Sequence, residues 1–419
     1  MEVLRYLDLF AGAGGLSEGF MRAGYKPVAH VEMEEAACYT LKTRVAYKWL
    51  TENDKEQIYQ NYINGDVNRD TFYNNIPKDI LDSVMNYEIS WNNIEEIFGK
   101  IDSILQEHEI NLIIGGPPCQ AYSLIGRARD KKGMKGDKRN YLYILYAEFL
   151  KKYKPKYFVF ENVLGLLSAE DQDGRLHFDK MQELFLECGY TTDYKVLNAS
   201  DYGVLQNRKR IILIGKYGNS QDFYPDIRKE EHNYFVNEIF KDLPKLTAGE
   251  GTARPVATLS YDGEYLYDSR IKDFDRQEVS FHIARPHKAQ DLEIYKIAVQ
   301  MWNDNQKRLN YADLPNTLQS QKNIDAFLDR FKVVAGNLPF SQTVVAHISK
   351  DGHYFIHPDI EQNRSLTPRE VARLQTFPDN YYFESVSGKI SRTTAYKQIG
   401  NAVPVLLAEK IARALLEVW

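Results

Sequence analysis

At 419 residues the chain is long for one compact core, while 43% hydrophobic and 26% charged residues are ordinary for a globular protein. A net charge of −5 gives no global positive field, and three cysteines exclude a disulfide scaffold. No apolar run approaches the ~18–20 residues of a membrane helix, and the opening Met1-Glu2-Val3-Leu4-Arg5-Tyr6 is neither basic nor long and apolar, so a cytoplasmic, multi-domain enzyme without a leader is expected.

In chain order, residues 3–10 read as a buried strand, followed by a Gly-rich turn and a helix over 17–23. A second strand at 27–31 ends in Glu32. Residues 51–110 hold 13 acidic and 4 basic side chains. A strand at 111–114 runs into Gly115-Gly116-Pro117-Pro118, and residues 124–140 then carry seven basic and two acidic groups with three glycines. Such a segment is a mobile loop suited to phosphate contact. A helix at 141–153, a strand at 157–160 ending in Glu161, and a strand at 210–215 follow. Strands alternating with helices predict a mainly parallel, doubly wound α/β sheet that binds ligands at the carboxyl ends of its strands. Residues 217–345 are polar and rich in Tyr and Asn, which predicts a second, smaller domain. Order returns at Thr367-Pro368-Arg369-Glu370, a helix start with Thr367 as N-cap, and the chain closes with a helix over 405–418.

Two features carry chemistry. Asp8-Leu9-Phe10-Ala11-Gly12-Ala13-Gly14-Gly15-Leu16-Ser17 joins a strand to a helix, which lets a ligand approach the backbone and an anion meet free N–H groups. The third glycine of the dinucleotide fingerprint falls on Ser17, so a plain tight turn stays open as a reading. Glu32 suits ribose hydroxyls, and Asp66, read as the end of a third strand, suits an adenine amino group; together they point to a nucleoside-bearing cofactor. In the second feature, Pro117 and Pro118 hold Cys119 just past a strand end, next to the basic loop, as a nucleophilic thiolate requires. Cys38 and Cys188 lie in apolar helical patterns and read as core cysteines, and no metal-like spacing occurs.

Six ordered blocks make the chain resemble the DNA cytosine-5 methyltransferase family of bacterial restriction–modification systems. They are Asp8-Leu9-Phe10-Ala11-Gly12-Ala13-Gly14-Gly15, Gly116-Pro117-Pro118-Cys119-Gln120, Glu161-Asn162-Val163, Gln206-Asn207-Arg208-Lys209-Arg210, Leu366-Thr367-Pro368-Arg369-Glu370 with Phe377-Pro378, and Gln398-Ile399-Gly400-Asn401-Ala402-Val403-Pro404. The resemblance implies a Rossmann-like S-adenosyl-L-methionine-dependent methyltransferase fold, with a catalytic domain at 1–216, a target-recognition domain at 217–361 and a returning catalytic part at 362–419. It implies Cys119 as the nucleophile, Glu161, kept protonated by desolvation, as the group that meets the ring nitrogen, and Arg208 at the cytosine carbonyl. For the cofactor it implies Phe10, Ala13 and Gly15 at the methionine end, Glu32 on the ribose, Met33 on adenine, Asp66 with Val67 at the adenine amino group, and Pro118, Leu142, Asn401 and Val403 closing the site. For DNA it implies Gln120, Ser123, Arg127, Arg129, Lys138, Arg139 and Arg210. The implied partners are double-stranded DNA and a cognate restriction endonuclease acting on the same site, with the enzyme a monomer off the membrane.

Three departures accompany the resemblance. Tyr122 stands where the family commonly has Phe, and the stretch from Asp66 to Cys119 is long, which predicts extra helices on the face away from DNA. Residues 281–295 contain His282 and His287, read as structural more than as base readers. A nicotinamide dehydrogenase would not need Pro-Pro-Cys-Gln, an amino-methyltransferase would carry an aromatic residue at Cys119, and a non-catalytic homologue would have lost Cys119, Glu161 or Arg208. An RNA cytosine methyltransferase of the same fold stays as the alternative.

Overall fold

The computed structural model describes residues 3–118, 141–275, 277–321 and 323–419. Strands β1 (Arg5–Leu9), β2 (Lys26–Glu32), β3 (Val84–Asn86), β4 (Leu112–Gly115), β5 (Tyr157–Asn162), β6 (Tyr190–Asn198) and β7 (Lys209–Tyr217) form one sheet in the order β3-β2-β1-β4-β5-β7-β6. The first five are parallel, and β7 inserts antiparallel between β5 and β6. Along β4 the side chains alternate between two cores, as a period of two requires. Ile113 joins one with Leu7, Leu9 and Phe158 under helices α6 (Ile94–Leu105), α7 (Leu142–Tyr153) and α8 (His177–Glu187). Leu112 and Ile114 join the other with Tyr6 and Val159, under α1 (Gly15–Arg22) and the last helix, α13 (Val405–Glu417). A Cβ built on Gly19 would lie 2.4 Å from the Ala408 Cβ, so α1 and α13 cross at backbone contact. The end of the chain therefore completes the first unit.

The expected third strand is displaced. Asp66 lies beyond α3 (Glu56–Asn64), whose C-cap is Gly65 in the left-handed region at φ 88°, and the strand that pairs with β2 is β3, some twenty residues later. Between them stand α4 (Arg69–Tyr73) and α5 (Lys78–Asp82). With α2 (Glu35–Glu52), these elements pack against the second region rather than facing away from it. Arg254 donates to the carbonyls of Tyr62 and Ile63 at 3.4 and 3.0 Å, a cation at a helix C-terminus where the dipole favours it. Tyr62 donates to Glu384 at 2.6 Å, and Arg69 donates to the carbonyl of Ser385 at 2.6 Å.

The second region holds two short ribbons, β8 (Gly251–Thr252) with β11 (His282–Ile283) and β9 (Val256–Ala257) with β10 (Glu278–Val279). Its helices are α9 (Tyr265–Asp268) and α10 (Ala289–Asn305). A small core around α10 joins Tyr295, Val299, Tyr311 and Phe331. The expected boundaries at 216/217 and 361/362 are not breaks in packing. One core runs from Leu50 and Phe72 through Val236, Tyr265 and Phe281 to Val371 on α11 (Pro368–Leu374), Phe377 just beyond it, and Tyr396 on α12 (Arg392–Asn401). A buried charge cluster spans the second boundary. Arg373 pairs with Asp242 at 2.6 Å and Asp379 at 2.7 Å, and Lys272 pairs with Asp242 at 2.6 Å. Thr367 caps α11 in a full capping box with Glu370, whose carboxylate also holds Arg364 at 2.6 Å.

Candidate active site

The carboxyl ends of β1, β4 and β5 open on one cleft. Its floor is the turn after β1, where Phe10, Gly12 and Gly14 take left-handed backbone at φ 57°, 55° and 80°. Phe10 is the informative one, because a bulky residue holds that conformation only where the surrounding structure imposes it. A Cβ on Gly15 would lie 2.4 Å from the Val403 carbonyl oxygen, so the turn meets the returning Asn401-Ala402-Val403 segment at backbone contact. Ser17, in place of the third glycine, turns inward: its hydroxyl lies 2.6 Å from Tyr6 Oη and 2.9 Å from His30 Nε2.

Asp8 also lines this cleft; sequence reasoning quoted it in the first block but gave it no role. It is buried, its Oδ2 has no hydrogen-bond partner among the described residues, and burial next to Glu32 raises its carboxyl well above the usual range. Glu32 ends β2 and accepts from Gly12 N and Glu34 N, each at 2.7 Å. Burial raises its carboxyl, although these two N–H groups oppose the effect. Behind it, Cys38 donates to the Glu32 carbonyl at 3.2 Å, and burial pushes its thiol up to about 12, as suits a core cysteine. Met33 is exposed at the mouth. The strand end next to Glu32 is Asn86, which donates to the carbonyls of Glu32 and Met33. Ile89, just beyond it, is buried in the core on which Phe10, Tyr87 and Leu142 pack. The strand end beside Glu32 is thus formed by residues 84–86 and not by Asp66 and Val67, and Asp66 is an exposed residue next to Gly65, which Arg254 covers. A strand of only three residues after a long polar insertion left no run of alternating apolar residues to find.

Pro118 is the last described residue before the gap, so Cys119, Gln120, Ser123, Arg127, Arg129, Lys138 and Arg139 lie outside the described residues. The turn leading to Cys119 is held from β5. Asn162 Nδ2 donates to the Pro117 carbonyl at 3.3 Å, and a Cβ on Gly116 would lie 2.8 Å from Glu161 Oε2. Glu161 lines the cleft and is not isolated in an apolar wall as expected. Arg210 Nε approaches its Oε1 at 2.7 Å, with both side chains about 15% exposed. The two arginines of the fourth block have different surroundings. Arg208 is fully buried and donates to Val344 O at 2.6 Å, whereas Arg210 is the one that lies beside the Glu161 carboxylate. The start of β7 separates them: Arg210 is the second residue of the strand, while Arg208 precedes it and is not bound by the strand's alternation. His282 and His287 are structural. His282 Nε2 lies 2.8 Å from the Pro244 carbonyl, His287 Nε2 lies 2.9 Å from Ser365 Oγ, and burial lowers the His287 imidazole to about 3.

Known proteins match this chain over its whole length. The C-5 cytosine-specific DNA methylase model matches residues 4–80 and 70–417. The chain is 40% identical to the Type II methyltransferase M.Bpa9945I of Bacillus paralicheniformis, covering 98% of each protein. It is 30% identical to the Type II methyltransferase M1.HphI of Haemophilus parahaemolyticus, covering 99% of this chain and 87% of that one. A crystal structure described as that of a prophage-encoded DNA modification methyltransferase (E. coli) shares the fold at TM-score 0.63 and 23% identity, covering 99% of each chain. The chain belongs to the C-5 cytosine-specific DNA methylase family. It is a DNA (cytosine-5-)-methyltransferase, an S-adenosylmethionine-dependent class of enzyme acting on DNA. Among the described residues no helix is long and apolar enough to cross a membrane.

Proposed function

We propose that the protein methylates carbon 5 of a cytosine extruded from a specific double-stranded DNA site, as the modification enzyme of a type II restriction–modification system. The observation that carries this reading is the Glu161–Arg210 pair, held against the turn before Cys119 and opening on the glycine-lined cleft. The cleft fits S-adenosylmethionine: three turn residues in left-handed backbone let a ligand approach, and the unpartnered Asp8 oxygen is available to a cation. Phe10, Ala13, Gly15 and Asp8 would hold the methionine end, Glu32 the ribose, and Met33, Ile89 and Leu142 the adenine, with Pro118, Asn401 and Val403 closing the site. When bound, the cofactor supplies an electrophilic methyl group on a sulfonium.

Carbon 5 of cytosine is a weak nucleophile, and thiolate addition at carbon 6 corrects this. The Cys119 sulfur–carbon 6 bond forms, and the electron pair of the 5,6 double bond becomes available at carbon 5. Glu161 meets the ring nitrogen, where charge accumulates, and Arg210 orients Glu161 and the ring carbonyl. Once that electron pair has bonded carbon 5 to the methyl group, loss of the carbon 5 proton to a base expels the thiolate and restores the ring. Carbon 6 is covered inside a stacked duplex, so the base must leave the stack first. The basic side chains of 124–140 would meet DNA phosphates, and the region around α10 would face the same duplex. A monomer suffices for this chemistry, and the paired endonuclease need share only the DNA site.

Bisulfite sequencing of DNA from cells expressing the protein reads activity and target together. One methylated sequence context is expected, and unmethylated DNA overturns the reading. Cys119→Ser is expected to abolish transfer while DNA binding persists, and only the unaltered protein should trap a covalent adduct on 5-fluorocytosine DNA. Substantial turnover by the Ser variant would remove Cys119 from the mechanism.

A further inference from the structure

The segment returning from the second region is bonded to the catalytic unit through its backbone. Ser341 N donates to Leu205 O at 3.0 Å, and Asn207 N donates to Ser341 O at 2.9 Å. From Val344 a line of buried amides then leads to the cofactor wall. Val344 N donates to Gln206 Oε1 at 2.8 Å, Gln206 Nε2 donates to Gln375 Oε1 at 3.0 Å, and Gln375 Nε2 donates to the carbonyls of Ile399 and Ala402 at 2.8 and 3.1 Å. Neither glutamine has any solvent exposure. Arg208 runs alongside, donating to Val344 O at 2.6 Å and, at 3.5 Å, to Gly400 O. Gly400 leaves no slack, since a Cβ there would lie 2.4 Å from Ala346 N.

Taken in series, through Gln206 and Gln375 and in parallel through Arg208, these bonds link the segment leaving the second region to the segment that carries Asn401, Ala402 and Val403 of the cleft. Neither glutamine amide can turn over without unmaking bonds at both its ends, which is expensive in a buried network. The two segments therefore move together or not at all.

We propose that Gln206, Arg208 and Gln375 are positioning residues that transmit the seating of DNA on the second region to the cofactor wall, so that DNA and cofactor bind with positive coupling. This rests on the functional reading above. Coupling of this kind is reciprocal: DNA must tighten the cofactor by the factor by which the cofactor tightens DNA.

The test titrates S-adenosylmethionine into the full-length protein, alone and saturated with a short duplex carrying the site mapped by bisulfite sequencing, and then the duplex with and without cofactor. In the unaltered protein each ligand is expected to tighten the other by the same factor, about fivefold or more. In Gln375→Met, which keeps volume and removes the donors, and in Gly400→Ala, which wedges the segments apart, the factor should fall towards one while each ligand bound alone stays within about twofold. A variant that stays folded and keeps the full factor overturns the proposal, as does an unaltered protein that binds both ligands independently. A protein that binds neither ligand overturns the functional reading instead. Hydrogen exchange on the unaltered protein needs no variant: cofactor alone should slow exchange in a peptide spanning 341–349, and unchanged exchange there also overturns the proposal.

Discussion

Arg208 and Arg210 are two residues apart in one motif, and the structure gives them different partners, the Val344 carbonyl for one and the Glu161 carboxylate for the other. Arg210→Ala should lower kcat by a factor on the order of 100 or more, the scale of removing a preorganised charge-stabilising group, and leave S-adenosylmethionine affinity nearly unchanged by calorimetry. An equal loss in cofactor affinity would show that the Glu161–Arg210 pair shapes the cofactor site instead. Glu32→Ala should weaken the cofactor by about 1–3 kcal/mol, the cost of unmaking buried polar contacts, whereas Asp66→Ala should leave it unmoved. The same titration checks both, and a Glu32-sized loss at Asp66 would return that residue to the site. At this scale the motifs made residue types legible, because Gly, Pro, Cys and Glu at those spacings have few other uses. Direction was not legible: which of two arginines turns inward depends on where β7 begins, and no periodicity marks that boundary.

Among the elements, the Gly-rich turn and the segment after α12 are complementary surfaces. Gly15→Ala puts a methyl group 2.4 Å from the Val403 oxygen and should weaken cofactor binding more than tenfold and lower Tm. Gly12→Ala meets nothing within 4 Å and should show only the strain of its φ of 55°, about 1 kcal/mol in urea unfolding. Equal effects from the two would mean that backbone strain, not contact, governs the turn. The parallel strands, the capped start of α11 and the closing helix were legible because each carries its own local signal. The antiparallel insertion of β7, the three-residue β3 and the packing of α3 against Arg254 were not: strand direction leaves no mark on an apolar run, β3 is too short to show alternation, and Arg254 meets Tyr62 and Ile63 from about 190 positions away.

Viewed whole, the molecule carries its acid sensitivity in its interior. Burial lowers His357 and His287 to about 3 and His30 to about 4, so the unfolded chain binds protons at these sites below pH 6.5 while the folded chain does not. Stability should therefore fall as pH drops from 6.5 towards 3. Glu370 adds to this loss below 4.5. Burial would raise its carboxyl, but Arg364 overrides that and holds it at about 2, a contribution of about 3 kcal/mol that disappears between pH 4.5 and 2. Urea unfolding at pH 7.5, 5.5 and 4.5 reads the first part, and a flat profile would mean that these histidines are solvated in solution. The shared core also sets where recognition can be exchanged. Transplanting 217–340 from a relative would cut through the core holding Val236 and Tyr265, so a graft limited to 289–343 is the one expected to keep its Tm while moving the methylated site. If the folded graft still modifies the original sequence, site choice lies outside that segment. The meeting of α1 with α13 has a consequence in time. Trp419 sits 5.9 Å from Tyr25 and 5.2 Å from Tyr157, ring to ring, and Asn401 to Val403 form a wall of the cleft. Residues 401–403 are made hundreds of positions after the glycine turn and the thiol, so a growing chain is expected to hold a methyl donor only once that segment has emerged and folded back beside α1.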